Sequence, residues 1–309
     1  MTRHVLVTGG AGFIGSHIAD AFLERGDRVS IIDNLSTGDL RNLNPKAEFH
    51  EADLREERTI ELVRSLRPDL VSHHAAQIDV RHSVADPATD AEINIVATIR
   101  LLQASLDAGV QRFVFASTGG AIYGEPLTEP QDEAHPAHPL SPYGCAKLSV
   151  EHYMHYFREI HGLNTIALRY ANIYGPRQNA KGEAGVIAIF ADRLLRAEEV
   201  TINGDGEQTR DYVFVDDVVR ANMAVCDDLS LAGPFNVGTG VESSVNELYR
   251  HIAAAAGVDR DAHHGPAKLG EQRRSVLDGR KLRAIAKLPE PLGLGDGIRQ
   301  TVEWFRANR

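Results

Sequence analysis

The sequence predicts an α/β fold of the doubly wound type, with a parallel sheet and a smaller, irregular α/β region near the C-terminus that binds substrate. Three observations support this prediction. A glycine-rich turn joins an apolar run to a helical pattern within residues 5–23. A second apolar run ends in Asp33, and short apolar runs then alternate with helical patterns as far as residue 170. Strands that alternate with helices form parallel sheets, because each helix crosses between two strands of one sheet.

The first strand, turn and helix form a candidate phosphate-binding site. Val5–Val7 is the strand, and Gly9, Gly12 and Gly15 have the spacing of Rossmann-type dinucleotide-binding folds. Gly9 permits the tight turn, Gly12 lets the backbone approach a pyrophosphate, and Gly15 lets the helix pack closely on the strand. The phosphates would lie at the helix N-terminus, where the N–H groups and the helix dipole favour an anion.

Asp33 ends the second apolar run, at the distance from the glycines where Rossmann-type folds place an acid. A carboxylate there accepts hydrogen bonds from ribose hydroxyls and repels a 2′-phosphate, which favours NAD over NADP. The alternative is a strand-end residue that caps the next loop. The combination with the glycine turn favours the cofactor.

Composition excludes several classes of protein. The chain has 309 residues, 43% of them apolar and 25% charged, as in ordinary soluble globular proteins. Its net charge of −10 argues against nucleic acid or an anionic membrane as a partner. Cys145 and Cys226 lack metal-binding or redox spacing, and no apolar run approaches the ~18 residues of a membrane span. Because the first strand also begins almost at the N-terminus, we expect a cytoplasmic protein.

The remaining elements follow in alternation up to residue 170. Predicted strands cover residues 47–53, 69–76, 112–118 and 165–170. Predicted helices cover residues 57–66, 87–108 and 143–161. We expect a dinucleotide-binding domain at residues 1–170, to which the chain returns around residues 211–238, and a substrate-binding domain at residues 171–309.

Within the second region the patterns are shorter. They predict a helix over 186–195, a strand at 214–215, Asp216 and Asp217 as the cap of a helix up to residue 224, and a return to the sheet at 235–238. The remainder is expected to be helical with loops.

Ligands of doubly wound sheets lie outside the carboxyl ends of the strands. The small pair Ala75 and Ala76 follows a predicted strand, which fits backbone close to a dinucleotide. Asn94 is the one amide in the apolar middle of the helix over 87–108, and if buried it requires a hydrogen-bonding partner. The pattern leaves open whether this amide faces a cofactor or solvent. The proline-rich segment 125–142 is a candidate substrate-side loop.

Tyr143 and Lys147 stand four residues apart and therefore share one face of the predicted helix. A neighbouring ammonium and a cationic nicotinamide both favour the phenolate of a tyrosine, which then takes a hydroxyl proton while hydride leaves the same carbon. Thr118 lies at a strand end, where its hydroxyl could hydrogen-bond the reacting oxygen. The pair alone is common on helix surfaces, but together with the glycine turn and Asp33 it predicts hydride transfer at a secondary alcohol.

Six longer strings extend this pattern over nearly the whole chain. They are GGAGFIG at 9–15, STGGAIYG at 117–124, YGCAK at 143–147, RYANIYGPR at 169–177, GEAGVI at 182–187 and TRDYVFVDD at 209–217. On these strings the chain resembles the extended short-chain dehydrogenase/reductase family, and within it the 4-epimerases of UDP-sugars.

The resemblance implies roles for individual residues. Tyr143 would be the base at the sugar 4-hydroxyl, Lys147 would bind the nicotinamide ribose and tune Tyr143, and Thr118 would support the 4-oxygen, with Ser117 as the alternative. The implied NAD contacts are Gly9, Gly12, Phe13, Ile14, Gly15, Asp33, Asn34, Asp53, Leu54, Ala75, Ala76, Asn94, Ser117, Tyr143, Lys147 and Tyr170. The implied substrate contacts are Thr118, Tyr143, Asn172, Arg210, Lys268 and Ser275.

The same resemblance implies a reaction without net oxidation. Hydride leaves C4 of the sugar, the 4-keto sugar turns over in the pocket, and hydride returns to the other face while NAD stays bound. This implies interconversion of UDP-galactose and UDP-glucose, in a homodimer formed through the helices at 87–108 and 143–161. UDP-N-acetylglucosamine and UDP-glucuronate remain alternative substrates, and a dehydratase, a decarboxylase or a non-catalytic nucleotide-binding module is less favoured.

Several positions depart from the family pattern. Gly119 and Gly120 add a glycine after Ser117 and Thr118, and they stand where dehydratases and decarboxylases carry an acid. Gln77 follows Ala76 where many relatives have a lysine near the cofactor. Lys268 replaces an arginine and is expected to hold phosphate more weakly, and the small Ser275 is expected to leave room for an N-acetyl group.

The histidines do not predict a metal site. Adjacent histidines on a strand point to opposite faces, and none of the pairs gathers three or four ligands with obvious acids. The pairs are His73 with His74, His135 with His138, His152 with His155, and His263 with His264.

Overall fold

The computed structural model describes residues 2–180, 185–267 and 272–308. The chain divides into two compact units. The first comprises Met1–Gly124, Pro136–Tyr170 and Val219–Phe235, and the second comprises Glu125–His135, Ala171–Val218 and Asn236–Arg309.

Seven strands form the main sheet. They are β1 His4–Thr8, β2 Arg28–Asp33, β3 Glu48–Glu51, β4 Leu70–His73, β5 Arg112–Thr118, β6 Thr165–Tyr170 and, after three strands of the second unit, β10 Gly233–Val237. Their order across the sheet is β10-β6-β5-β4-β1-β2-β3. The pairings from β3 through β6 are all parallel. The predicted doubly wound parallel sheet is therefore confirmed.

The helices of the first unit follow its strands. They are α1 Phe13–Glu24, α2 Glu57–Leu66, α3 Val80–Ala85, α4 Pro87–Ala91, α5 Ala97–Ala108, α6 Gly119–Ile122 and α7 Pro142–His161. Local sequence explains the ends of α7. Ser141 Oγ accepts a hydrogen bond from Gly144 N at 3.1 Å, and Pro142 occupies the first turn, where its missing N–H costs nothing. Gly162 then ends the helix in the left-handed region at φ 73°.

The core under α7 fixes this helix against β5. Phe113 and Phe115 on β5 lie in one buried apolar cluster with Leu101 of α5 and with Val150 and Met154 of α7. Burial of such side chains contributes about 2 kcal/mol each. The residues near the start of α7 are thereby held beside the carboxyl end of β5.

The predicted helix over 87–108 is not uniform. Between α4 and α5 lies one π-helical segment, Glu92–Val96, which accommodates an additional residue within the helical turn. Asn94, in this segment, is 3% exposed. Its amide points into the protein and is hydrogen-bonded there, as a buried amide requires.

The second unit contains shorter elements. Its strands are β7 Asn172–Tyr174, β8 Thr201–Asn203, β9 Thr209–Phe214, β11 Glu242–Ser244 and β12 His263–Gly265, arranged as β11-β9-β7 and β12-β8. Its helices are α8 Val186–Leu195, α10 Val245–Ala256, α11 Arg280–Ala286 and α12 Leu294–Ala307, and the chain enters the first unit again within α9 Val215–Asp227. Sequence patterns did not predict β7, β8, β11 and β12, because three residues are too few to show alternation.

Two further predictions need correction. The strand predicted at residues 214–215 is the end of the longer β9, and α9 begins at once with Val215. Asp216 and Asp217 therefore lie in the first turn of the helix rather than at its cap. Negative charge is favourable there because of the helix dipole, and the Asp217 carboxylate also accepts a hydrogen bond from Leu292 N at 2.9 Å.

Candidate active site

The glycine turn after β1 has a geometry that other residues cannot adopt. Gly9 has φ +70°, and a Cβ on it would lie 2.6 Å from Ala75 N. A Cβ on Gly15 would collide with the carbonyl oxygen of Gly9. The turn therefore brings β1, the segment after β4 and the start of α1 into direct backbone contact, which needs glycine at these positions.

The N-terminus of α1 fits a pyrophosphate. Gly12 is the N-cap residue, and no side chain caps the helix. The N–H groups of the first turn, on Phe13, Ile14 and Gly15, have no partner within a helix. Donors of this kind, together with the helix dipole, bind phosphate anions.

Asp33 lies at the end of β2 and is 8% exposed. Its Oδ2 accepts a hydrogen bond from Ala11 N at 3.0 Å, and its Oδ1 accepts one from Leu35 N at 2.8 Å. The carboxylate thus ties the glycine turn to β2. Each carboxylate oxygen accepts more than one hydrogen bond, so capacity remains for ribose hydroxyls.

Asn34 and Asp53 lie together beyond β2 and β3. The Asn34 amide donates to the Asp53 carboxylate at 2.9 Å, and Arg55 donates to both Asp53 oxygens at 3.0 and 2.8 Å. The Arg55 guanidinium holds the pKa of Asp53 far below its usual range. Leu54 beside it is buried. Asn34, Asp53 and Arg55 thus form a local hydrogen-bonded cluster.

The Tyr143–Lys147 pair lies on α7 beside the end of β5. Lys147 is 3% exposed, and its Nζ donates to the Ala116 carbonyl at 2.9 Å. The same Nζ lies 4.6 Å from the centre of the Phe115 ring and 5.7 Å from that of Tyr143. The ammonium therefore lies beside the Tyr143 ring, and a positive charge near a phenol favours its phenolate form.

Burial acts on both members of the pair. It lowers the pKa of Lys147 to about 8, against the opposing charges of Asp90 and Glu151. Burial, followed by the charge of Asp90, raises the pKa of the Tyr143 phenol. Tyr143 is thus a protonated phenol in the protein alone, and it becomes a base only where additional positive charge approaches its oxygen.

The two candidate hydroxyls at the end of β5 have different surroundings. Ser117 is 3% exposed, and its Oγ donates to Glu151 Oε1 at 2.6 Å. Thr118 is partly exposed, and its hydroxyl has no hydrogen bond within the described part of the chain. The geometry therefore favours Thr118 for the substrate oxygen and assigns Ser117 to the protein interior.

Glu151 belongs to a buried network that sequence reasoning missed. Arg169 on β6 donates to the Glu151 carboxylate at 3.0 and 2.6 Å and to the Tyr123 hydroxyl at 2.9 Å. The side chains of Arg169 and Glu151 are 8% and 9% exposed. The spacing in the sequence could have identified Glu151, because it follows Lys147 by four residues and therefore shares its helical face.

Asn94 organises the segment after β4. Its Oδ1 accepts from Gln77 N at 3.0 Å, and its Nδ2 donates to the Gln77 carbonyl at 2.9 Å and to Asp90 Oδ1 at 3.0 Å. The Asn94 amide therefore fixes the backbone of Gln77, which follows Ala75 and Ala76 in the chain. Sequence reasoning identified Asn94 but missed Asp90, which precedes it by one helical turn.

The other predicted cofactor residue, Tyr170, ends β6. It is 4% exposed, and burial raises the pKa of its phenol. Its neighbour in the sheet is Thr118 on β5, so both lie at the same sheet edge.

The predicted substrate residues Asn172, Arg210 and Ser275 belong to the second unit. Asn172 on β7 pairs with Tyr212 of β9. The Arg210 guanidinium donates to the carbonyls of Thr209 and Gln272, both at 2.7 Å. Ser275 is buried, and its carbonyl accepts from Asp211 N at 2.9 Å, which brings it beside β9.

Lys268 lies outside the described residues, as do positions 182–184 of the GEAGVI string. Among the residues that the structure does describe, no group of three or more histidines, cysteines or acids is arranged to hold a metal ion. In the same ranges no helix is both long and apolar enough to cross a membrane.

The parallel sheet, the uncapped helix after the glycine turn and the Tyr143–Lys147 pair define a dinucleotide-binding protein equipped for hydride transfer at an alcohol. Residues 5–238 match the NAD dependent epimerase/dehydratase family. The chain belongs to this family.

Individual relatives cover the chain almost completely. It is 45% identical to a putative UDP-glucose 4-epimerase of Methanocaldococcus jannaschii, over 98% of this chain and 99% of that protein. A crystal structure of UDP-glucose 4-epimerase from Thermotoga maritima with UDP-glucose is similar, with 47% identity, a TM-score of 0.95 and coverage of 98% and 99%. Thermus thermophilus UDP-glucose 4-epimerase in complex with NAD has 44% identity, a TM-score of 0.93 and coverage of 99% and 100%.

Proposed function

We propose that the protein is an NAD-dependent UDP-glucose 4-epimerase that interconverts UDP-galactose and UDP-glucose. The main support is the buried Lys147 beside Tyr143 at the end of β5, combined with full-length similarity to enzymes of that name. The N-terminus of α1 and the Asp33 carboxylate suit the pyrophosphate and the ribose of NAD. NAD, when bound, accepts hydride from sugar C4 and returns it.

Each residue of the site has one task in this proposal. Lys147 stabilises the phenolate of Tyr143, which removes the proton of the sugar 4-hydroxyl and later gives it back. The Thr118 hydroxyl hydrogen-bonds the 4-oxygen in both states. Ser117 stays bound to Glu151 and takes no part in the proton transfer.

The second unit supplies the proposed contacts to the UDP group. Arg210 offers a planar fork of donors suited to phosphate, and it exchanges its present carbonyl partners for phosphate oxygens. Asn172 and Lys268 are the other proposed contacts. Ser275 has a small side chain, which would leave space for an N-acetyl group on the sugar.

The absence of an acid after Thr118 argues against a dehydratase or decarboxylase. Gly119 and Gly120 occupy these positions, and neither can remove a second proton from the sugar. Simple epimerisation therefore fits this strand end best.

We also propose that the protein is a cytoplasmic homodimer. Several large apolar side chains of the π-helical segment and of α7 are exposed, with exposed fractions of 45% for Val96, 43% for Tyr153, 47% for Tyr156 and 67% for Ile160. Apolar faces of this kind are typical of subunit interfaces. Both cysteines, Cys145 and Cys226, are free, which fits a reducing compartment.

The decisive experiment is proton NMR of the purified protein with UDP-galactose and no added NAD. Appearance of UDP-glucose would support both C4 epimerisation and retained cofactor. Tyr143→Phe should abolish the conversion, whereas Tyr153→Phe, an exposed position on the same helix, should not. A folded, NAD-loaded protein that leaves UDP-galactose unchanged would contradict the proposal and direct attention to UDP-N-acetylglucosamine and UDP-glucuronate.

A further inference from the structure

We propose that Asp90 is a positioning residue for the Tyr143–Lys147 pair, whose buried negative charge keeps Lys147 cationic in an apolar setting. The proposal rests on the function proposed above, because it concerns the same pair of side chains. It adds a third ionisable group, from a different helix, to the proton-transfer site.

Asp90 is held in a fixed position by neutral groups. It lies on α4, which packs against α7, and it is only 1% exposed. Its Oδ1 accepts from Gln77 Nε2 at 2.9 Å and from Asn94 Nδ2 at 3.0 Å. Two amides orient the carboxylate, but they do not neutralise it.

A buried carboxylate requires compensation by positive charge. Within the described ranges Asp90 forms no ion pair, and a buried charge without a cation is costly. Lys147 is a buried group of opposite charge on α7, the helix that packs against α4. We infer that each of the two charges offsets part of the cost of burying the other.

The other ionisable groups around Lys147 do not replace Asp90. Glu151, on the same helix, is paired with Arg169 of β6. Burial lowers the pKa of His73 and, to about 3, that of His74, so both are neutral. The charged or titratable side chains of α3, the π-helical segment and α5 are exposed, namely Arg81, His82, Glu92, Arg100 and Asp107. Arg112 lies at the far end of β5, where it donates to the Leu231 carbonyl at 2.9 Å.

The charge of Asp90 acts on both members of the pair in the same direction. It raises the pKa of Lys147 against the effect of burial, and it adds to burial in raising the pKa of Tyr143. Loss of the charge therefore lowers both pKa values. The limb of the activity profile that each group controls should therefore move to lower pH.

Asp90→Asn is a clean test because an asparagine Oδ1 still accepts hydrogen bonds from both amides. Lysine labelled with ¹³C at Cε reports the titration of Lys147 by NMR in the protein as purified, with Lys147→Arg identifying the signal. We expect the midpoint to fall by about one pH unit in D90N. Asp86→Asn is the matched control, since it removes a charge from the exposed cap of the same helix and keeps a capping side chain. The midpoint of the Lys147 titration in Asp86→Asn should equal that of the wild type.

An unchanged Lys147 midpoint in folded D90N would overturn the proposal. If D90N does not fold, Asp90→Ser is a second uncharged variant with a hydroxyl acceptor for the same amides, and the same midpoint decides. The titration requires no substrate, so its outcome is independent of which sugar the protein converts.

The pH profile of kcat provides the second readout. The proposal expects both limbs of D90N to shift to lower pH by similar amounts, while Asp90→Glu restores them towards the wild-type positions. A purely structural role would lower the maximum rate and leave both limbs in place, and that result would contradict the proposal.

Discussion

At the residue scale, the two neighbouring hydroxyl groups at the end of β5, on Ser117 and Thr118, differ in what they contact. Successive residues of a strand point to opposite faces. Ser117 turns towards α7 and donates a hydrogen bond to Glu151 Oε1 at 2.6 Å, whereas the hydroxyl of Thr118 keeps its hydrogen-bonding capacity. A hydroxyl already committed to a buried carboxylate is a poor partner for a transient substrate oxygen.

Thr118→Ala should reduce kcat by about 100-fold, because a hydrogen bond to the reacting oxygen is lost. Ser117→Ala should change kcat by less than about threefold but lower the melting temperature, because Glu151 loses one buried donor. Steady-state kinetics and thermal unfolding of both variants distinguish the two roles. The assignment would be wrong if Ser117→Ala lost activity while Thr118→Ala kept it.

Gln131 gives a prediction about stability. It is fully buried, and neither its Nε2 nor its Oε1 has a hydrogen-bond partner in the ranges that the structure describes. A buried amide without partners costs about 1–3 kcal/mol. Gln131→Leu has similar volume and removes both polar atoms, so it should raise the free energy of unfolding by about 1 kcal/mol.

Urea denaturation of the purified protein measures this change. Gln103→Leu is the control, because Gln103 is exposed and its substitution should alter stability by less than about 0.5 kcal/mol. Equal stability of wild type and Gln131→Leu would contradict this prediction.

At the scale of elements, α7 is joined to β5 and β6 by a buried ion pair as well as by apolar packing. Glu151 on α7 accepts three hydrogen bonds from Arg169 on β6 and a fourth from Ser117 on β5. The same helix carries Tyr143 and Lys147. The network therefore fixes the position of Tyr143 and Lys147 along the end of β5.

Glu151→Gln should lower the free energy of unfolding by about 3 kcal/mol, because it leaves the Arg169 guanidinium buried without its counter-charge. The exposed pair of Arg158 and Glu159 offers a control, with an Arg158 Nε to Glu159 Oε1 distance of 2.9 Å. Glu159→Gln should cost less than about 1 kcal/mol. Chemical denaturation of both variants compares the two costs.

The pH dependence of the reaction also belongs to this scale, since it arises where α4 and α7 meet. The pKa of Lys147 is lowered to about 8, so its ammonium is present below that pH and is lost as pH rises through it. Activity should therefore fall as pH rises above about 8, and the profile of kcat against pH checks this expectation. An activity that stays constant up to pH 10 would argue against a role for the Lys147 ammonium.

At the scale of the whole molecule, the exposed apolar side chains of α7 predict association of two copies. Ile160→Glu places a charge on this face and should shift the protein from dimer to monomer in light scattering coupled to size-exclusion chromatography. Val241→Glu is the control, because Val241 is 63% exposed and belongs to the second unit. A wild-type monomer at micromolar concentration would contradict the proposed dimer.

Much of the first unit follows from local sequence. The glycine turn requires a positive φ at Gly9 and close backbone contact at Gly15. Short apolar runs predict β1, β2, β5 and β6. The spacing of Tyr143 and Lys147 predicts one shared helical face. These features depend on interactions within a few residues of the chain, so the sequence by itself determined them.

Other features were decided only by tertiary structure. The different hydrogen bonding of Ser117 and Thr118 depends on Glu151, which is 34 residues from Ser117 along the chain. Asp90, whose charge raises the pKa of Lys147, lies on another helix. The short strands of the second unit exist because their partner strands supply their hydrogen bonds. Such contacts join residues that are distant in the chain, and no local pattern records them. The doubly wound fold and the shared helical face of Tyr143 and Lys147 were therefore predictable, whereas the electrostatic setting of these two residues became visible only once the helices were packed on the sheet.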